Sequence, residues 1–180
     1  MSVTHAFLLR AFGRPRGVLG RAGGLIMART NYACARWVVR LLKIQPNDHV
    51  LEVGFGPGVA IQLAATLASD GFVGGVDSSV EMVGQAKARN SSFSKNGRVD
   101  LRHGSAESLP FEPNAFDKEF AINSMQVWAD AIAGLREMWR VTKIGGRVAL
   151  AFSPYSGYAK TGLIDKTHDG GLHRATISGF

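Results

Sequence analysis

Cysteine is nearly absent from this 180-residue chain, and acid is wholly absent from its first quarter. The single cysteine, Cys34, excludes an internal disulfide framework and a cysteine-rich zinc site. It also points to a reducing compartment, the cytoplasm. No window approaches the ~18 consecutive apolar residues that cross a bilayer. Six prolines and 46% apolar residues exclude a disordered chain and fit one globular domain, with or without an appendage. Residues 1–43 hold eight Arg or Lys and no Asp or Glu, whereas residues 44–180 hold thirteen basic and fourteen acidic residues. The net charge of +7 therefore belongs to the N-terminal segment. A basic field over the whole surface, as in many nucleic-acid binders, is excluded.

What is present divides the chain in three: a basic segment at 1–43, a main domain at 44–153 and a tail at 154–180. In the first segment AFLL is too short for a secretory apolar region, and Arg10, Arg14 and Arg16 interrupt it. The Arg-rich, acid-free start has the composition of a mitochondrial transit segment, but it also reads well as structure. Residues 13–24 form a Gly/Pro/Arg linker, and the spacing predicts a helix over 25–42. Arg29, Arg36, Arg40 and Lys43 fall on one side of it, with Leu25, Ile26, Trp37, Val38, Leu41 and Leu42 on much of the rest. The favoured reading is a solvated basic face with its back on the core. The sharper readings are peripheral contact with an anionic membrane, or a lid over a site.

Beyond Pro46, strand and helix patterns alternate. HVLEV, FVGGVD, VDLRH, AFDKEFAI and RVALAF read as five strands, and 59–68, 79–89 and 129–141 as helices, the last stopped near Gly145 and Gly146. Ser78 with Glu81 gives a capping-box pattern. Such alternation predicts an α/β fold: a Rossmann-like, doubly wound parallel sheet with helices on both faces.

The stretch VLEVGFGPGVA, residues 50–60, places three glycines at the end of the first strand. Ligands of such sheets sit outside the carboxyl ends of the strands, and the first strand-to-helix turn is the usual cradle. The nicotinamide fingerprint G-x-G-x-x-G fails, because Val59 stands where the third glycine belongs, and there is no G-K-[ST] of a P-loop. The loop instead reads E-x-G-x-G-x-G. Asp77, nineteen residues past Gly58, closes the second strand, where a carboxylate accepts from both hydroxyls of a ribose. A nucleoside with a cationic tail and no diphosphate fits, and S-adenosylmethionine is one. No metal cluster is indicated.

On these residues the chain resembles the class I S-adenosylmethionine-dependent methyltransferases, in particular the ubiquinone/menaquinone-biosynthesis type. VLEVGFGPG, GVDSSVEMVGQAKAR, HGSAESLPFEPNAFD and LREMWRVTKIGGRVALAF match the family's segments in order, over roughly 25–153. The resemblance implies that Glu52, Gly54, Gly56 and Gly58 hold the methionine part of the cofactor. It implies Asp77 on the ribose, Ser78 and Met82 near the adenine, and Ser105 and Ala106 at the adenine edge. Asn123 and Ser124 would face the sulfonium and the acceptor. Met82 reads equally as core packing, and His103 as structural or solvated. Ser105 stands where this branch often carries an aspartate.

The implied activity is methyl transfer to a small, apolar acceptor, with no catalytic residue singled out. Tyr155 and Tyr158 are candidates for the pocket. The alternative is a non-catalytic, S-adenosylmethionine-binding scaffold, because the family's C-terminal antiparallel strand pair looks missing from the last 28 residues. The exposed edge of the fifth strand would then pair with a second copy as a homodimer, or residues 155–180 would fold over it. An RNA-directed enzyme lacks the aromatic-interleaved basic surface it needs.

Overall fold

A computed structural model describes residues 32–152, 160–166 and 172–178. In chain order the elements are α1 (Tyr32–Leu42), β1 (His49–Val53), α2 (Val59–Leu67), β2 (Phe72–Asp77), α3 (Val80–Arg89), α4 (Ser91–Lys95) and β3 (Val99–His103). There follow β4 (Phe116–Ile122), a 3-10 turn (Met125–Val127), α5 (Ala131–Val141), β5 (Thr142–Phe152), β6 (Lys160–Lys166) and β7 (Leu172–Ser178). They build one sheet of order β3-β2-β1-β4-β5-β6-β7. The first five strands are parallel. The chain winds from β1 outward to β3, then returns to β4 on the other side, so the order reverses between β1 and β4. That is where an open α/β sheet leaves a crevice.

Alternate residues of β1 serve the two faces. Val50 packs with α1, α2 and α3, while Leu51 and Val53 pack with Met138 and Val141 of α5. Both layers are apolar, which is why the strands read as near-continuous hydrophobic runs.

α1 buries Cys34, Ala35, Val38, Val39 and Leu42 and leaves Arg36, Arg40 and Lys43 exposed. Burying one Val or Leu side chain is worth about 1.5–3 kcal/mol, so packing, not its solvated cations, holds this helix. The described part of α1 is thus a layer of the core. Leu25, Ile26 and Arg29 lie outside the described residues. No helix among the described residues is long and apolar enough to cross a membrane.

The C-terminal strand pair expected to be missing is present. β6 pairs antiparallel with β5, Arg147 opposite Asp165 through Phe152 opposite Lys160, and β7 pairs antiparallel with β6. Arg147 Nε holds Asp165 Oδ1 at 2.5 Å across the first pair. The edge of β5 is therefore covered by the chain's own continuation, the second of the two expectations, and the premise for a dimer through that edge is gone.

Two smaller expectations also change. The N-cap of α3 is Ser79, not Ser78: its side chain accepts from the Met82 amide. Gly145 and Gly146 do not separate α5 from β5. The helix ends at Val141, β5 begins at Thr142, and the glycines sit in a bulge where the register with β4 shifts, Gly145 at φ +78°.

Under α5 lies a wholly buried carboxyl, Glu119. Its Oε1 accepts from the Thr142 hydroxyl at 2.8 Å, and its Oε2 has no partner among the described residues. Burial pushes it well above the ordinary 4.5, against the Thr142 hydroxyl and the Lys166 and Arg140 charges. A raised folded-state value gives stability that is full below the unfolded value and lost as pH rises through the folded one. Glu119→Gln is therefore expected to melt above the parent at pH 8 and to converge with it at pH 4. In a chain of this size each kcal/mol of removed penalty shows as about 2–4 °C in thermal denaturation.

Candidate functional site

The crevice at the β1/β4 reversal is walled by the loop after β1, the start of α2, the ends of β2 and β4, the segment after β3 and the stretch that precedes α5. Glycine is required in two different ways in the first of these. Gly54 has φ +76°, and a Cβ there would lie 2.3 Å from Ser124 Cβ, so the end of β4 packs on bare backbone. Gly58 also has φ +76°, but its Cβ would meet Ala86 Cβ at 2.7 Å and Asn90 Nδ2 at 2.8 Å. Gly58 thus lets α3 approach α2 and stands outside the lining. Gly56, at φ +52°, donates its amide to Asp77 Oδ2 at 2.8 Å.

Asp77 is the joint of the site. Besides Gly56 it accepts from the Ser79 amide at 2.8 Å through Oδ1, fixing the glycine loop and the start of α3 together. Burial pushes its carboxyl up, opposed by those two amides and by His103. Each carboxylate oxygen has two acceptor positions, so capacity remains toward the crevice. Glu52 is only 3% exposed, and its Oε2 has no partner among the described residues. Burial first, and the neighbouring Asp77 second, push it well above 4.5, against the Ile61 amide. A buried carboxyl lacking a partner at a crevice wall is a costly arrangement for the chain alone. It suits a cationic ligand group.

Of the residues singled out from the sequence, Glu52, Gly54, Gly56, Asp77, Ser78, Met82, Ser105, Ala106, Asn123 and Ser124 all line this crevice, and Gly58 does not. Ser124 Oγ donates to Val53 O at 2.8 Å, tying β4 to β1. Asn123, at φ +51°, turns the chain off β4. Met82 is 2% exposed and serves core and wall alike. His103 is not in the lining; its Nε2 lies 3.2 Å from the Ser78 carbonyl. Tyr155 and Tyr158 lie outside the described residues.

Sequence reasoning missed Ala35, Glu107, Val127 and Trp128. Trp128 lies against α5 because residue 134 is glycine: a Cβ there would meet its ring at 2.5 Å. No local pattern announces that contact. Among the described residues no group of His, Cys, Asp and Glu could hold a metal. The lining's ionisable groups are the carboxyls Glu52, Asp77 and Glu107.

The residues fit S-adenosylmethionine: an orphaned carboxyl oxygen for an ammonium, bare glycine backbone beside it, and a carboxylate at the end of β2. A family model described as a methyltransferase domain matches residues 50–146. The chain is 34% identical over 131 residues to the uncharacterized methyltransferase YdaC of Bacillus subtilis, covering 73% of this chain and 70% of that one. It is 35% identical over 116 residues to the ubiquinone/menaquinone biosynthesis C-methyltransferase UbiE of Geotalea daltonii, covering 64% and 49%. Among solved structures it is similar to the geranyl diphosphate C-methyltransferase of Streptomyces coelicolor in complex with Mg2+, geranyl diphosphate and S-adenosylhomocysteine. That likeness has a TM-score of 0.62 at 21% identity and covers 79% of this chain and 53% of that one. The chain thus spans about half the length of the last two.

Proposed function

The chain belongs to the class I S-adenosylmethionine-dependent methyltransferases, and from that premise we propose that it transfers a methyl group to a carbon of a small, apolar acceptor in the cytoplasm. The cofactor of the family is S-adenosylmethionine, which when bound supplies an electrophilic methyl on a sulfonium. The observation that carries the assignment is the buried, unpartnered Glu52 Oε2 beside the bare backbone of Gly54. Glu52 takes the ammonium of the methionine part, Gly54 and Gly56 admit its chain, and Asp77 takes the ribose hydroxyls. Ser105 and Ala106 border the adenine. Asn123 and Ser124 stand where the acceptor enters.

Two features support a carbon acceptor without proton abstraction by a strong base. The described lining offers carboxyls and no His, Lys, Cys or Tyr. Val127, in the crevice lining, is 39% exposed, which favours an apolar molecule. The relatives named as C-methyltransferases agree with this. In-line transfer forms the new carbon–carbon bond as the sulfonium–methyl bond breaks and expels a neutral thioether. The methylated carbon then sheds its acidified proton to water, so the protein's contribution is proximity and orientation. The scaffold reading loses its motive, since it rested on strands that are in fact present. The test is incubation with methyl-labelled S-adenosylmethionine and electron-rich aromatic or isoprenoid acceptors. Label in the organic phase with stoichiometric S-adenosylhomocysteine supports the proposal, and label in none of them contradicts it.

Binding carries a pH signature. Glu52 is protonated more readily in the empty crevice than in water, and an arriving ammonium favours the ionised form. Affinity is therefore expected to rise with pH, with net proton release on binding. Calorimetry in buffers of differing ionisation enthalpy measures that release, which Glu52→Gln should lose.

A further inference from the structure

We propose that Glu107 is a positioning residue for cofactor binding, its carboxylate clasping the segment after β3 to the start of α5 and so setting the distance between two walls of the crevice. The inference rests on the S-adenosylmethionine reading above.

Glu107 follows Ser105 and Ala106 in the lining, and Val127, Trp128 and Ala129 form the facing stretch. Its Oε1 accepts from the Asp130 amide at 3.1 Å, 23 residues away in sequence. The Ala129 amide and the Ser105 hydroxyl also favour the ionised form of this carboxylate. A backbone donor at the foot of one wall is thus held by a side chain of the other. Partial burial pushes its carboxyl up, but the Asp130, Glu107 and Ala129 amides and the Ser105 hydroxyl together outweigh it and lower it below the ordinary 4.5. Asp130, whose amide it holds, caps α5 by accepting from the Ile132 and Ala133 amides at 2.9 and 3.0 Å. The clasp therefore joins the Ser105 segment to the frame of a helix, and Trp128 and Ala129 are fixed between them.

A second tie joins the same two parts of the chain, and it makes the comparison sharp. Glu137 Oε2 accepts from the Leu109 amide at 2.9 Å, and Arg140 donates to the carbonyls of Leu109 and Phe111, each at 2.9 Å. Neither Glu137 nor Arg140 lines the crevice. The remote tie already fastens the segment to α5, so Glu107 adds little that the fold needs and sits where a ligand would feel it.

The experiment compares Glu107→Ala, Glu107→Asp, Glu107→Gln and Glu137→Ala with the parent by calorimetric titration with S-adenosylmethionine and by thermal denaturation. Glu107→Ala is expected to weaken binding about tenfold, consistent with loss of charge-assisted hydrogen bonds. Glu107→Asp keeps the charge but is one methylene too short, and should lose nearly as much. Glu107→Gln keeps an acceptor at full reach and should recover to within about threefold of the parent. Glu137→Ala should lower the melting temperature and leave affinity within about twofold. Parent-like affinity of Glu107→Ala, or an equal loss in Glu137→Ala, would overturn the proposal. If Glu107→Ala does not fold, tighter binding by Gln than by Asp supports the clasp, and the reverse order overturns it. Failure of the parent itself to bind overturns the cofactor reading, and the clasp with it.

Discussion

Asp77→Ala is expected to weaken S-adenosylmethionine binding by at least about a hundredfold. In the folded chain Asp77 holds the Gly56 and Ser79 amides, each at 2.8 Å. Its removal orphans two N–H groups in a buried corner, and each such group costs about 1–3 kcal/mol. The glycine loop and the start of α3 then lose their common anchor, and the ribose loses its acceptor. Two effects thus act in one direction, and a hundredfold corresponds to only about 2.7 kcal/mol. Asp77→Asn retains one carbonyl acceptor but turns an N–H2 toward a donor, so it should fall between alanine and the parent. Calorimetry on variants whose circular dichroism matches the parent is the measurement. An affinity for Asp77→Ala within threefold of the parent would refute the role.

Gly54→Ala is expected to destroy the site, and Gly145→Ala to spare it, although the two glycines share a conformation. Their φ values are +76° and +78°. A left-handed backbone costs a non-glycine residue roughly 1–2 kcal/mol, so both variants should melt a few degrees lower. The difference lies in what a methyl group meets. At Gly145 nothing lies within 4 Å, whereas at Gly54 the new Cβ falls 2.3 Å from Ser124 Cβ and 2.6 Å from its Oγ. To make room Ser124 must leave Val53 O, and the ends of β1 and β4 part where Asn123 and Ser124 face the crevice. Binding should fall more than tenfold in Gly54→Ala and stay within twofold in Gly145→Ala. Equal binding by the two would show that the close approach at Gly54 does not matter to the ligand.

The parallel half of the sheet was legible because its strands are buried on both faces. HVLEV, FVGGVD and VDLRH read as strands and are strands with the same ends. The crevice was legible where its residues are adjacent in sequence, as from Glu52 to Gly56. Gly58 illustrates the limit: a glycine in the loop pattern served packing against α3, which spacing cannot reveal. Glu107 and Trp128 were missed because their partners, Asp130 and Gly134, are brought to them by tertiary folding and by the helix that follows. The last two strands, KTGLIDK and LHRATIS, escaped for a different reason. Strands near a sheet edge carry polar and charged residues that blunt the apolar signal, and their Gly, Ser and Thr read as a tail. The paired glycines at 145 and 146 looked like a turn because a bulge uses the same backbone freedom.

The most direct measurement is calorimetric titration of the full 180-residue chain with S-adenosylmethionine, with NADH as the control. The account predicts saturable one-to-one binding of S-adenosylmethionine and no binding of NADH. A folded chain that takes up NADH, or that gives no heat with S-adenosylmethionine, would contradict it.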